Sequence, residues 1–203
     1  MRTLAIDTAT EACSVALFDG TEVIGSYHKV LGRGHAERLV PAIAGLPDKG
    51  RAERILVSLG PGSFTGVRIG IAAARSLGIA WGVEVIGYPT LAILSAEARW
   101  RYPGKSTSVA IRAGHGEIFV QDFDGDGLPE NELASLPLED AAKAAAHPVI
   151  AGSMANEVAL ERTHGLAADM HPNAIRALAI PAQLLTSELR PIYGREPDAK
   201  LPK

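Results

Sequence analysis

Two stretches carry residue types that could do chemistry. Asp7 stands at the end of a short apolar run and is followed by Thr8 and Thr10. A carboxylate beside hydroxyls at a strand end can hold a water or Mg²⁺ against a phosphate. Fifty residues on, Gly60-Pro-Gly62-Ser63-Phe-Thr65 leads into a helical pattern. The free N–H groups of such a helix start bind anions. Each stretch has a plainer reading. Phosphate turns need close backbone approach and usually carry glycine, whereas Ala9 fills that slot here, so an Asx turn is the better account of Asp7. The Gly60–Thr65 run lacks the Lys-Ser/Thr pair of a P-loop, and a turn that launches a helix, with Thr65 as N-cap, explains it equally well.

Within that helix Gly66, Gly70 and Ala74 recur every four residues and share one face. An interior glycine costs about 1 kcal/mol relative to alanine, so close packing must compensate. Either the chain's own sheet or a helix of another chain can supply it. Ile69, Ala73 and Leu77 flank the stripe, and Arg68 and Arg75 border it with charge.

Other candidates are weaker. His35 opens an earlier helix, but Leu39 stands where a second helical metal ligand would fall, and no His/Cys/Asp/Glu cluster exists elsewhere, so a protein-held metal is not expected. Ser63 has no recognisable base, which leaves nucleophilic catalysis unsupported. Cys13 lies in an apolar alternating run and reads as a core residue; being the single cysteine, it also points to a reducing compartment. The run from Ala151 to Asn156 is open between an adenine-facing loop and a strand-to-helix turn.

These residues need elements to position them. A chain of 203 residues with 47% hydrophobic and 21% charged content can bury a real core. A formal charge of -3 gives no broad footprint for nucleic acid. No apolar run approaches the roughly 20 residues of a membrane span, and Asp7 interrupts the N-terminus too early for a signal peptide, so a cytoplasmic protein is expected.

Leu4 to Ile6, Ser14 to Phe18 and Glu22 to Tyr27 read as three antiparallel strands, the last two joined at Asp19-Gly20. Helices are expected at 35–46, with Pro41 in its first turn or kinking it, and at 65–80, with strands at 54–58 and 83–87 and a further helix at 89–100. A strand-hairpin opening recurs at Ser108 to Arg112 and Glu117 to Phe123, followed by a helix near 138–146, a strand at 148–151 and a helix near 173–185. The repetition predicts two related lobes, 1–101 and 102–203, each a mixed sheet flanked by helices. If the lobes mirror each other, Arg112 replaces the carboxylate that Asp7 supplies, a change that suits no phosphotransferase.

The runs Leu4-Ala-Ile-Asp-Thr-Ala-Thr10, Cys13-Ser-Val-Ala16, His35-Ala-Glu-Arg-Leu-Val-Pro41 and Gly60-Pro-Gly-Ser-Phe-Thr-Gly-Val-Arg68 resemble the TsaB (YeaZ) family of glycoprotease-like proteins, as does the C-terminal Pro191-Ile-Tyr-Gly-Arg195 with Ala199-Lys200. The likeness is specific over residues 1–100 and thin between about 120 and 185. It implies an actin-like ATPase (ASKHA, ribonuclease H-like) fold of two similar lobes. It further implies a bacterial subunit that pairs with a catalytic paralogue, TsaD, and the ATPase TsaE to form N6-threonylcarbamoyladenosine next to the anticodon of tRNA, which is reached through the complex.

On this resemblance the chain is a non-catalytic partner that activates TsaD. Its first two helices supply the contact surface, through His35, Leu39, Ile43, Gly66, Ile69, Gly70, Ala73, Ala74 and Leu77. No cofactor is tightly bound; ATP or ADP with Mg²⁺ at a shared interface, and a homodimer in isolation, stay open. The family usually has Asp at position 112 and arginine at 114 and 115, where this chain has Arg112, Gly114 and His115. The alternative is an independent actin-like ATPase or phosphotransferase using Asp7, Thr8, Gly60, Gly62 and Ser63.

Overall fold

The computed structural model describes residues 1–194, so Arg195, Ala199 and Lys200 of the C-terminal motif lie outside the described residues. The first lobe runs β1 (Arg2–Asp7), β2 (Ala12–Asp19), β3 (Glu22–Val30), α1 (His35–Ala44), β4 (Arg54–Ser58), α2 (Phe64–Trp81) and β5 (Glu84–Tyr88). After α3 (Thr90–Arg101), the second runs β6 (Thr107–Arg112), β7 (Ile118–Phe123), β8 (Ala134–Leu136), α4 (Leu138–Ala144), β9 (Val149–Ala151), α5 (Ala155–Glu161) and β10 (Leu166–Ala168).

The sheets are ordered β3-β2-β1-β4-β5 and β10-β9-β6-β7-β8. Read from the opposite edge, the second sheet repeats the first: an antiparallel meander of three strands, then two parallel strands reached through helices. The duplicated opening seen in the sequence is therefore a duplicated topology. It is the two-lobed, actin-like arrangement.

Helices cover both faces of the first sheet, which is why its central strands read as continuous apolar runs. Successive β1 side chains point to opposite faces. Leu4 and Ile6 enter a core with Cys13, Leu39, Ile43 and Val67, while Ala5 joins Phe18, Leu56 and Tyr88 on the other side. Cys13 is a core residue, its thiol pushed up to about 11, chiefly by burial. α3 lies between the lobes. Its residues 90–98 are all buried, and Leu91, Ile93 and Leu94 share one core with Tyr88 of the first sheet and Val109, Ile111 and Phe119 of the second.

Local expectations needed adjusting at three places. Ser63, not Thr65, caps α2, its Oγ accepting the Gly66 N–H at 3.2 Å. Pro41 is seven residues into α1 rather than in its first turn, on the exposed side. The expected helix over 173–185 is two 3₁₀ turns, Ala174–Ala179 and Ala182–Leu184. Pro181 forces the split, because the residue before a proline is driven out of helical geometry and Ile180 is extended (φ -71, ψ 131). These turns do not stay with the second sheet. Residues 174–192 return to the first lobe, starting where the Ala174 N–H donates to Ser14 Oγ at 2.9 Å. No helix among the described residues is long and apolar enough to cross a membrane.

Candidate functional site

β1 ends in a closed knot. Asp7 Oδ1 accepts the Ala9 N–H at 3.0 Å, which is an Asx turn. The Tyr88 hydroxyl stands 3.0 Å from the Ile6 carbonyl oxygen and 3.3 Å from Asp7 Oδ2. Asp7 is 1% exposed. Burial pushes its carboxyl up to about 6 against the hydrogen bonds from Ala9, Ser58 and Tyr88. Burial and the neighbouring Asp7 also push the Tyr88 phenol well above its ordinary value.

The next residues tie this turn to the start of α2. Thr8 Oγ1 donates to the Gly66 carbonyl at 2.7 Å, and the Ser63 N–H donates to the Ala9 carbonyl at 2.6 Å. Gly62 permits that closeness: a Cβ on it would lie 2.0 Å from Ala9 O. At Gly60 (φ +94) the neighbour is Ile192 O, 2.6 Å from the Cβ position. Asp7, Thr8, Gly60, Gly62 and Ser63 do converge, as the nucleotide-site reading requires. Their polar groups and close approaches, however, serve the chain's own backbone. Among the described residues no three His, Cys, Asp or Glu side chains gather as a metal site.

The small-residue stripe needs a correction. Gly66, Gly70 and Ala74 are buried beneath the chain's own first sheet. A Cβ at Gly66 would lie 2.1 Å from Thr8 O and one at Gly70 2.6 Å from Thr8 Oγ1; at Gly78, next in the row, Val85 Cγ2 is 2.5 Å away. Their closely packed partner is therefore intramolecular.

The same holds on α1. His35, Leu39 and Ile43 are buried, with the His35 Nε2–H donating to the Ala12 carbonyl at 3.2 Å. The physical reason is common to all six: an i, i+4 row makes a helix face, and the nearest apolar surface is the sheet beneath it. Ile69, Ala73 and Leu77 are half-buried, packed against the first-lobe core from its edge.

What faces outward differs from the expected set. On α1 it is Ala36, Val40 (62% exposed) and Ala44; on α2 it is Ala72, Ser76, Ile79 (84% exposed) and Ala80. Ala72, Ser76 and Ala80 form a second four-residue row, two positions out of phase with the first and so on the opposite side of the helix. The signal was in the sequence, one face away from the glycines. Arg68 and Arg75 border α2 as expected, but both bind the chain's own C-terminal segment, at Tyr193 Oη (2.7 Å) and Leu189 O (2.8 Å).

In the second lobe Arg112 does occupy the position that mirrors Asp7. Its Nε lies 3.7 Å from Glu11 Oε1 in the first lobe's turn, and its N–H donates to Ser153 Oγ at 3.2 Å. The run 151–156 is the strand-to-helix turn into α5: a Cβ on Gly152 (φ +121) would meet Ala110 O at 2.2 Å.

Comparison with known proteins adds the following. A family model described as "TsaD: tRNA N6-adenosine threonylcarbamoyltransferase" matches residues 25–135. The tRNA threonylcarbamoyladenosine biosynthesis protein TsaB of Escherichia coli is 41% identical over 133 residues, covering 62% of this chain and 56% of that protein. The chain thus spans little more than half the length of the first curated relatives it matches. An uncharacterized protein of Mycobacterium tuberculosis is 31% identical over 97% of this chain and 93% of its own length. The structure of YeaZ from Pseudomonas aeruginosa superposes with a TM-score of 0.78 at 28% identity, covering 95% of this chain and 99% of that one.

Proposed function

The chain belongs to the TsaB (YeaZ) family, and from that premise we propose that it is a non-catalytic partner subunit in the formation of N6-threonylcarbamoyladenosine next to the anticodon of tRNAs reading codons that begin with adenine. One observation carries the reading. Every side chain that could do chemistry at the β1 turn is committed to the fold, while the outer face of α1 and α2 presents small and apolar side chains to solvent. A partner helix can approach the Ala72-Ser76-Ala80 row closely, and Val40 and Ile79 bury area on docking.

The partner proposed for this face is the catalytic paralogue TsaD, with the ATPase TsaE completing the assembly and tRNA engaged through the complex in the cytoplasm. In isolation the same face is free to pair with a second copy. ATP or ADP with Mg²⁺ is assigned to the surface shared with the partner, not to the Asp7 turn, where the carboxylate already holds its own backbone.

The test is a pull-down of TsaD with the wild-type chain and with Ala72→Glu/Ile79→Asp, joined to a modification assay on unmodified tRNA with each component omitted in turn. Capture by the wild type, loss in the variant, and a requirement for this chain without turnover by it alone are expected. Equal capture by both chains refutes the assigned face, and modification without this chain refutes the role.

A further inference from the structure

The final described residues make contacts that docking of a partner on α1 and α2 does not require. After the second 3₁₀ turn the chain crosses the first lobe and ends against the second. Thr186 and Gly87 exchange two backbone hydrogen bonds, 2.7 and 3.0 Å, at the β5 edge. The Leu189 carbonyl takes the Arg75 guanidinium at 2.8 Å. The Ile192 N–H donates to the Leu59 carbonyl at 2.7 Å, and Leu189 and Ile192 pack half-buried on the first-lobe core.

Arg68 bonds the Tyr193 hydroxyl and lies 3.2 Å above the Phe64 ring, whose centroid is 5.8 Å from that of Tyr193. Gly194 (φ +61) then sits so close to the second lobe that a Cβ would be 2.6 Å from the Phe119 ring and 3.2 Å from Pro61. One segment thus touches β5, α2, the Gly60-Pro61 turn and β7.

We propose that residues 186–194 are a strap that holds the second lobe against the first, with Arg68 and Arg75 of α2 as its fastenings. The strap's side chains are half-buried at most, and its fastenings are exposed. It therefore belongs to the part of the molecule that opens at lower free energy than the core strands. Each fastening is a charge-assisted bond to a single acceptor, so removing both loosens the strap, leaving its backbone bonds and its packing on the first lobe to hold it alone, without touching the core of either lobe.

Amide hydrogen exchange on the full chain tests this, in wild type, Arg68→Ala/Arg75→Ala and Gly194→Val. In the double variant the Thr186, Ile192 and Gly87 amides are expected to exchange about tenfold faster, with the β1–β2 amides unchanged. A valine at 194 collides with Phe119 and adds faster exchange at the Ala113 amide, which closes the β6–β7 hairpin through Glu117 O. Spin labels at Ser26→Cys and Glu161→Cys report the lobes directly, since Cys13 is fully buried; both variants are expected to broaden their distance distribution. Wild-type exchange at Thr186 and Ile192 in the double variant refutes the fastenings, and an unchanged distance distribution in both variants refutes the strap. If Gly194→Val loses protection throughout β1–β2, the arginine variant decides the question alone, because its replaced side chains are exposed.

Discussion

Replacing Gly66 by alanine separates the two roles open to the α2 stripe. On an outward face the change would be benign or mildly stabilising, because alanine gains about 1 kcal/mol over glycine inside a helix. In this structure the new methyl would stand 2.1 Å from the backbone oxygen of Thr8, which has no rotamer with which to move away. The helix start must lift from the β1–β2 turn by roughly 1 Å to restore ordinary contact.

Overpacking of this kind costs roughly 1–3 kcal/mol. Lifting also strains the Thr8 Oγ1–Gly66 O and Ser63 N–Ala9 O hydrogen bonds, worth about 1 kcal/mol each. Set against the propensity gain, the net loss is about 2–4 kcal/mol. At about 2–4 °C per kcal/mol for a chain of this size, Tm should fall by roughly 4–16 °C. Thermal unfolding followed by circular dichroism measures it, with the exposed Ala72→Glu on the same helix as control. A Gly66→Ala protein melting at or above wild type would show that this face does not rest on the Thr8 turn.

Three further outcomes follow from the same geometry. Asp7 binds its proton more tightly when folded (about 6) than an ordinary aspartate of the unfolded chain (3.8), so its contribution favours the folded state fully below about pH 4 and is lost as pH rises through 6, on the order of 3 kcal/mol. Asp7→Asn, which keeps an acceptor for the Ala9 N–H, should remove that decline, and denaturant midpoints at pH 4 and 7 that differ equally in both proteins would contradict it. Glu97 is buried and holds Arg101 and Arg176 at 2.8 and 2.7 Å; Glu97→Ala leaves the mostly buried Arg176 guanidinium without its carboxylate while the exposed Arg101 turns to water, and should cost about 1–3 kcal/mol in urea unfolding, whereas a loss below about 0.5 kcal/mol would mean the pairs are idle. Ala72→Glu/Ile79→Asp should leave Tm within about 2 °C of wild type while abolishing capture by TsaD, because exposed substitutions seldom move stability.

Much of the architecture was legible because local chemistry and tertiary environment agreed. Asp19-Gly20 sits in the β2–β3 turn, Gly20 with φ +58, and the repeated strand-hairpin opening became a repeated sheet order. The 3₁₀ turns near 174–184 were missed where apolar spacing favoured a helix and Pro181 overruled it. The three-residue strands β8 and β10 carry no periodicity to detect; their neighbours hold them in place.

At the site, the motif at Asp7 and the Gly60–Ser63 turn was found, and its preferred reading as a turn agrees with the hydrogen bonds. The glycine stripe shows the limit. Small residues at four-residue spacing announce that some backbone comes close, but not whose. Two stripes lay on α2, and only burial distinguishes the one pressed on Thr8 from the one facing solvent.

The position of α3 has a consequence for dissecting this protein. A helix whose first nine residues are hidden by two sheets at once belongs to neither half. Cut the chain before Thr90 and the first fragment bares Tyr88 and Phe18; cut it after Arg101 and the remainder bares Val109, Ile111 and Phe119. Either piece would expose a large oily surface and clump in water, so the duplicated halves survive only as a pair.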